Sequence, residues 1–582
     1  MPEYLTPGVF VKVRSDQGQA IEGVSTTITG FIGPCTFGPI ESEPILVTSL
    51  QDYEGIYGSS ESLEFVGNET ADFMSHAVKL YFENGGEQLL ITRVFEPRPD
   101  QNIEEAMACR ELLLDEPTSV SFRARYPGRM GNQSIQVRAI RSENLVIAEN
   151  QDYRIRNLSH GDLVEVSKGP AGDELIAPGS LTRDRLRCVL TDESGNASLF
   201  TLDGEPFIAN LPEVSLHRIT LSMEVMMGEE QTKTFIELST HPAAPRFLGN
   251  IFYSKPDQSF SVDDPWPPPI EFVTGLNGER KTCLAFAGKL LLELINLPDQ
   301  QLNLRDGHDG TLPGSEAYRG VKDNIRPTGL EAMRRATDMS VLAAPCLAAL
   351  PTNREQNAIR QLLVKHCEQL CTCFAVLSGP LDGSLEDIRD TREQLDSKFA
   401  AIYYPSLVTK SSNGYINVPP DGAIAGIYVK NRVDKSLLNK VIAGITRTTV
   451  ELDESQFDLL NSEQINCLMD TGRMGIRVLG THTLSSDPLW RHVDSSRVFI
   501  FIQESIKHIA SEFAFQPNTA GARAALSNRI KAFLNVQYNN GLLPANKHSY
   551  VKVDFDQDRM LCEMGIVLQG SNDIKVIVFP ID

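Results

Sequence analysis

The chain has 582 residues, of which 41% are hydrophobic and 22% charged, and it carries a formal net charge of −22. A chain this long exceeds what one hydrophobic core organises, so about two to four domains are expected. The acidic balance excludes a nucleic-acid or anionic-membrane surface as its main business, and no apolar run approaches the roughly 18 to 20 residues that cross a bilayer.

The opening MPEYLTPGVF has an early acid, two prolines and no apolar stretch, so it does not read as a secretory signal, and folding in a cytoplasm is expected. Residues 1–22 read as an extended arm: Pro7 blocks a helix, and Val9, Val11 and Val13 alternate around Phe10 before Asp16-Gln17-Gly18 ends the run. Ser25–Gly33 predicts a buried strand, Ala71–Phe82 a helix closed by Asn84-Gly85-Gly86, and Leu89–Val94 the next strand. From about 100 to 320 short strand-like pieces (Ser134–Ile140, Glu174–Ile176, Val189–Leu190, Ile219–Met223, Thr234–Leu238) alternate with Gly, Asn, Asp and Pro. That texture predicts a β-rich insertion rather than a helix-bearing unit, ended by Trp266-Pro267-Pro268-Pro269.

Strands and helices then alternate: Ser340–Ala344, a helix from about Glu355 to Leu370, Cys373–Leu377, a helix from about Leu385 to Lys398, and Ala400–Tyr404. This is α/β order with a mixed or parallel sheet. Phe499, Ile502, Ile506, Ile509 and Phe513 mark an amphipathic helix. A second helix, from about Thr519 to Tyr538, places Leu526, Ile530, Phe533 and Leu534 on one face, with Arg529 and Lys531 on either side. Strands at Tyr550–Phe555, Leu561–Gln569 and Ile574–Phe579 close the chain. Between Ser496 and Lys552 the basic residues Arg497, Lys507, Arg523, Arg529, Lys531, Lys547 and Lys552 face only two acids, Glu504 and Glu512. A basic stretch in an acidic chain suggests that it meets something the rest does not.

The usual catalytic constellations are missing: there is no phosphate-cradling glycine loop with its lysine, no H-E-x-x-H, no G-x-S-x-G and no C-x-x-C. Asp554, Asp556 and Asp558 resemble the start of a calcium loop, but Arg559 and Gly565 stand where glycine and a bidentate glutamate are needed. Asp306-Gly307-His308-Asp309-Gly310 reads as a tight loop, and His482 and His492 are isolated. Cys367 and Cys371 share a helix face beside His366 and Cys373, yet no second ligand pair follows, and Leu362, Leu363 and Leu370 make the segment an ordinary amphipathic helix. No enzyme activity, cofactor or metal is expected, and the ten cysteines read as free thiols.

Read together, several stretches resemble the contractile tail sheath family of bacteriophages and related injection systems. They are YLTPGVFVKV, IEGVSTTITGFIGP and FGPIESEPILVTS near the start, then AVKLYFENGGEQLLITRV and RYPGRMGN. NLRDGHDGTLPGSEAYRG, AAIYYPSL, VPPDGAIAGIY, MGIRVLGTHTLSSDPLWRHV, SSRVFIFIQESI, FQPNT and IKAFLNVQYNNGLLP follow in order. The resemblance spans most of the chain apart from about 140 to 300. It departs at Ser436-Leu437-Leu438-Asn439, where the family often has an APAN-like turn, and only loosely follows the family after Tyr550.

The resemblance implies a structural subunit that polymerises helically, in hexameric rings, around an inner tube and contracts to drive it through a cell envelope. A phage virion and a phage-derived injection system both stay open, and an α/β hydrolase is the alternative outside the family. The implied fold is α/β and α+β: an arm (1–22), a middle α/β domain of subtilisin-like but non-catalytic fold (23–100 and 320–460), an inserted β-rich outer domain (101–319) and a C-terminal tube-proximal domain (461–582). The implied partners are further copies of the chain, the tube protein, and baseplate and tail-terminator proteins. Val9, Phe10, Val11 and Val13 are expected to link subunits, as are Val551, Val553, Ile574, Val576 and Val578, while Arg523, Arg529 and Lys531 are expected to face the tube.

Overall fold

The computed structural model describes residues 26–58, 62–115, 118–149, 152–168, 174–192, 194, 196–226, 232–253, 268–274, 280–336, 338–412, 414–513, 519–544, 550–556, 559–567 and 574–581. The arm, with Val9, Phe10, Val11 and Val13, lies outside them.

The chain first lays down β1 (Ile28–Gly33), β2 (Ile45–Val47), α1 (Phe73–Glu83) and β3 (Gln88–Arg93). It then leaves this layer for a second body. That body contains β4 (Cys109–Asp115), β5 (Thr118–Ala124), β6 (Ser134–Arg141), β7 (Leu163–Ser167), β8 (Leu186–Thr191) and β9 (Ala197–Phe200). It continues through β10 (Pro206–Phe207), β11 (Ser215–Met226), β12 (Thr232–Leu238), β13 (Ile270–Thr274), α2 (Arg280–Ile295) and β14 (Gln301–Asn303). The chain returns with β15 (Met339–Ala343), α3 (Asn353–Leu370), β16 (Phe374–Ser378), α4 (Leu385–Glu393), β17 (Ala400–Tyr404) and α5 (Asp421–Lys430). β18 (Asn466–Asp470) and β19 (Ile476–Leu479) complete the first layer. A last unit holds α6 (Val493–Ser511), α7 (Ala520–Asn539), β20 (Tyr550–Asp556), β21 (Arg559–Val567) and β22 (Ile574–Ile581).

The first layer is an eight-stranded sheet of order β2-β3-β1-β15-β16-β17-β18-β19. Its six central strands run parallel, and β2 and β19 are antiparallel at the two edges. β16 (FAVLS) and β17 (AAIYY) are buried at every position, as a parallel sheet covered on both faces requires. Helix ends follow from local chemistry. Thr352 caps α3 by accepting from the Glu355 amide, and Ser384 with Asp387 forms a capping box on α4. Helices α1 and α5 approach at Gly422, where a Cβ would meet the Ala77 carbonyl oxygen at 2.2 Å, so that only glycine fits.

The second body is antiparallel throughout the pairings of its two larger sheets: β10-β9-β8-β7-β11-β6-β14 with β12 on β11, and β13-β5-β4. In β6, Ile135, Val137 and Ala139 point into a shared core and the intervening residues point out, the period-two pattern of a half-covered sheet. This body corrects the sequence reading in two ways. It bears a helix, because α2 lies in its core through Leu284, Phe286, Ala287, Leu290, Leu291, Leu294 and Ile295. A helix buried on most of its circumference shows little amphipathic period to read. Nor does the proline run end the body: β13 begins directly after it and pairs with β5, and α2 and β14 follow. At the other end, β18 and β19 extend the first layer beyond residue 460, where the sequence reading closed it. No helix among the described residues is long and apolar enough to cross a membrane.

Asp72 caps α1, its Oδ1 accepting the Ser75 amide at 3.1 Å. It is 1% exposed, and its Oδ2 has no hydrogen-bond partner. Burial pushes its carboxyl up from the ordinary 3.8 to about 7. Between those values the unfolded chain has released the proton while the folded chain keeps it. Stability is therefore full below 3.8 and is lost progressively as pH rises to about 7. Asp72→Asn keeps the cap without the charge, so it is expected to gain stability over the parent as pH rises across that window and to match it below. Identical pH dependence in denaturant unfolding of the two proteins would contradict this.

Candidate assembly surface

Two features of the molecule concern how bodies are joined, one inside the chain and one at its surface. The inner joint is built around Arg93, the last residue of β3, which is 1% exposed. Its Nε donates to the Cys35 carbonyl at 3.1 Å, Nη1 to Gly38 at 2.7 Å and Nη2 to Pro127 at 2.8 Å. The first two acceptors follow β1 and the third precedes β6, so one guanidinium spans the layer and the second body. Asp309 completes the joint, accepting from the Arg129 amide at 2.7 Å and the Glu64 amide at 2.9 Å. Phe37 leaves the first layer and is buried in the core of the second body, edge-on to Tyr126 at 5.4 Å.

Glycines let these segments close. A Cβ at Gly128 would meet the Thr36 carbonyl at 2.4 Å, and one at Gly310 would meet that of Glu96 at 2.2 Å, both at positive φ. Asn132 and Gly307 exchange two hydrogen bonds of 2.8 Å. The loop Asp306–Gly310, tight as its sequence predicts, is thus a strap between bodies.

The surface feature is the C-terminal sheet, a meander of order β20-β21-β22. Cys562, Met564 and Ile566 of β21 are buried with Ile502, Ile506, Leu526, Ile530 and Phe533 of α6 and α7. Val551 and Val553 pack partly buried against that same core, so their side chains face their own subunit. Val576 is 53% exposed. Ile574 and Val578 hold register positions opposite Val567 and Glu563. The outer edges of β20 and β22 have no paired strand among the described residues. The edge of the large sheet at β19 differs. There Asn439 and Ile442 donate to Val478 and Ile476, and Val478 donates back to Lys440, so the segment 439–442 covers it. Strand edges without a partner among the described residues, those of β20 and β22 included, are templates on which another strand can pair.

The basic stretch is less available than the sequence suggests. Arg497 is buried, donating to the carbonyls of Tyr428 and Asn431. Lys507 pairs with Glu504 at 2.7 Å, Arg529 with Glu512 at 2.6 Å, and Lys552 with Asp554. Lys547 lies outside the described residues. On α7, Arg523 is half-buried and Lys531 exposed, while Leu526, Ile530, Phe533 and Leu534 turn inward as the helical period predicts. No cluster of three or more His, Cys, Asp or Glu poised for a metal occurs among the described residues.

Sequence reasoning missed Arg93 and Phe37. Their signal was present in the glycine-bearing runs GP, RYPGRMGN and DGHDG, which are distant in sequence and converge only in the fold.

Residues 327–484 match the family model described as the phage tail sheath protein central domain. The fold is similar to that of the sheath tail protein from Desulfitobacterium hafniense (12% identity, 99% of this chain and 100% of that one, TM-score 0.52). It is likewise similar to the sheath tail protein Lin1278 from Listeria innocua (11% identity, 96% of each chain, TM-score 0.53). A looser likeness joins it to the anti-feeding prophage helical sheath in its contracted state (14% identity, 99% of each chain, TM-score 0.46). No curated protein is detectably similar in sequence.

Replacing Arg93 by Met is expected to leave three buried carbonyls without donors, at a cost on the order of 3 kcal/mol or more. Urea unfolding measures it; a loss below about 1 kcal/mol would show that the guanidinium is not the joint.

Proposed function

We propose that this chain, which belongs to the phage tail sheath family through its central domain, is the structural subunit of a contractile sheath. The observation that carries the reading is the match of residues 327–484 to that domain. The matched span includes β15 to β19, the strands of the large sheet that the chain lays down after its return. Copies of the subunit polymerise helically around an inner tube and change packing to drive it, with baseplate and terminator proteins at the ends. Virion tail and phage-derived injection apparatus are both served by this mechanism. The large sheet is a subtilisin-like layer used as a scaffold, without protease chemistry, and the second body is an outward-facing insertion into it.

Subunits are linked by strand addition: the arm with Val9, Phe10, Val11 and Val13 lies along a neighbour's β20 or β22 edge, with Ile574, Val576 and Val578 beside it. Strand exchange keeps a lattice connected while its members rotate, because backbone hydrogen bonds survive the rigid-body motion. Each subunit then needs only a few kcal/mol between the two packings, since identical copies act together. Deleting residues 1–16 is expected to leave a folded subunit that sediments as a monomer, where the full chain forms tubular polymers in negative stain. Normal polymers from the truncated chain would remove the arm from the mechanism.

The tube contact is assigned to α7 through Arg523, Arg529 and Lys531, acting on an acidic tube surface. Exposed ion pairs give about 0 to 1 kcal/mol each, so the hold is weak singly, strong by repetition and sensitive to salt. Because Arg529 is already paired with Glu512, Lys531 is the sharper probe. Lys531→Glu is expected to yield sheaths without tubes when co-expressed with the tube protein. Filled, extended sheaths from that variant would place the contact elsewhere.

A further inference from the structure

Three cysteines cluster where α3 hands over to β16. Cys367 lies in the last turn of α3 and is fully buried. Cys371 ends the helix in the left-handed conformation, at φ 56°, its amide donating to the Cys367 carbonyl at 2.8 Å. That turn brings the chain straight back, so Cys373, also fully buried, points its Sγ at the Cys367 Sγ from 3.4 Å. The two are not bonded to each other in the structure. A disulfide has its sulfurs about 2.05 Å apart, so the pair stands a little over one ångström from bonding distance, and the bond joins two ends of one tight reversal. Cys371 is the member that solvent reaches: its side chain is half-buried, and its Sγ donates to the Glu368 carbonyl at 2.9 Å. Burial raises its thiol above the ordinary value, and the positive charges of Lys507 and Lys398 oppose that rise only in part.

We propose that Cys367 and Cys373 form a reversible disulfide in the folded protein, with Cys371 as the relay that admits a small-molecule disulfide as oxidant. The Cys371 thiolate attacks one sulfur of the oxidant, forming a mixed disulfide and releasing one small thiol. Cys373 then attacks the Cys371 sulfur, releasing the second small thiol. Finally Cys367 attacks the Cys373 sulfur and returns Cys371 to its thiol form. The protein loses two thiol protons and two electrons; the oxidant's sulfur–sulfur bond is reduced to two thiols, which take both.

The site adjoins the last unit of the fold, because the Cys371 carbonyl accepts from Gln503 of α6 at 3.4 Å. Oxidation therefore fixes the turn against which α6 docks, and reduction frees it.

The test incubates the full folded chain with oxidised glutathione, then blocks remaining thiols with an alkylating agent under denaturing conditions. Trypsin releases residues 366–389 as one peptide carrying all three cysteines. The expected peptide lacks two hydrogens, carries a single alkyl group on Cys371, and regains two alkylatable thiols after reduction. Three alkyl groups, a bond involving Cys371, or a glutathione adduct that persists there would each overturn the proposal. Cys371→Ser is expected to form the same bond about tenfold more slowly, since the accessible thiol is gone; an unchanged rate would overturn the relay. Cys373→Ser is expected to leave Cys367 fully alkylated. Should that variant fail to fold, the mapping on the parent chain decides alone.

Discussion

A single buried guanidinium holds the two larger bodies in register. Arg93 ends a central β-strand of the parallel layer and donates to three carbonyls, two from the segment after β1 and one from the segment leading into β6. Arginine suits this place because its planar fork offers several donors in fixed directions and keeps its charge. Lysine would bring one point of contact. The cost of burying the charge is offset by the three acceptors and by the carboxylate of Asp309 nearby.

The C-terminal sheet offers two edges, those of β20 and β22, that have no paired strand among the described residues. The edge at β19, covered by the segment 439–442, and the edges at β20 and β22, without a paired strand among the described residues, differ in what a further strand can use. The valines expected to carry the link divide along the same line. Val551 and Val553 serve the internal core and Val576 is exposed, so backbone pairing rather than side-chain packing is the resource β20 offers. The ion pairs along α6 and α7 narrow the electrostatic surface in the same way, leaving Lys531 more available than Arg529.

Much of the parallel layer and the helix α7 of the last unit were legible because their segments signal alone. AAIYY is a strand of continuous apolar character, and α3 and α7 have single apolar faces with a threonine at the start. The helix α2 was not legible, since burial around most of its circumference erases the period on which such readings rest. The short strands β18 and β19 lie beyond the boundary that the sequence reading drew at 460, because sheet membership depends on partners distant in sequence. Of the candidate site, the inward face of α7 and the three terminal strands were readable. The pairing of Arg529 with Glu512, the burial of Arg497 and the convergence of glycine-bearing runs on Arg93 all required the fold.

Helical reconstruction of the assembled chain by electron cryomicroscopy tests the central claim most directly. A tubular polymer is expected in which a strand of a neighbouring copy runs along the β20 or β22 edge, continuing the three-stranded meander. A polymer whose copies touch only through the parallel layer or the second body, with both edges facing solvent, would contradict it.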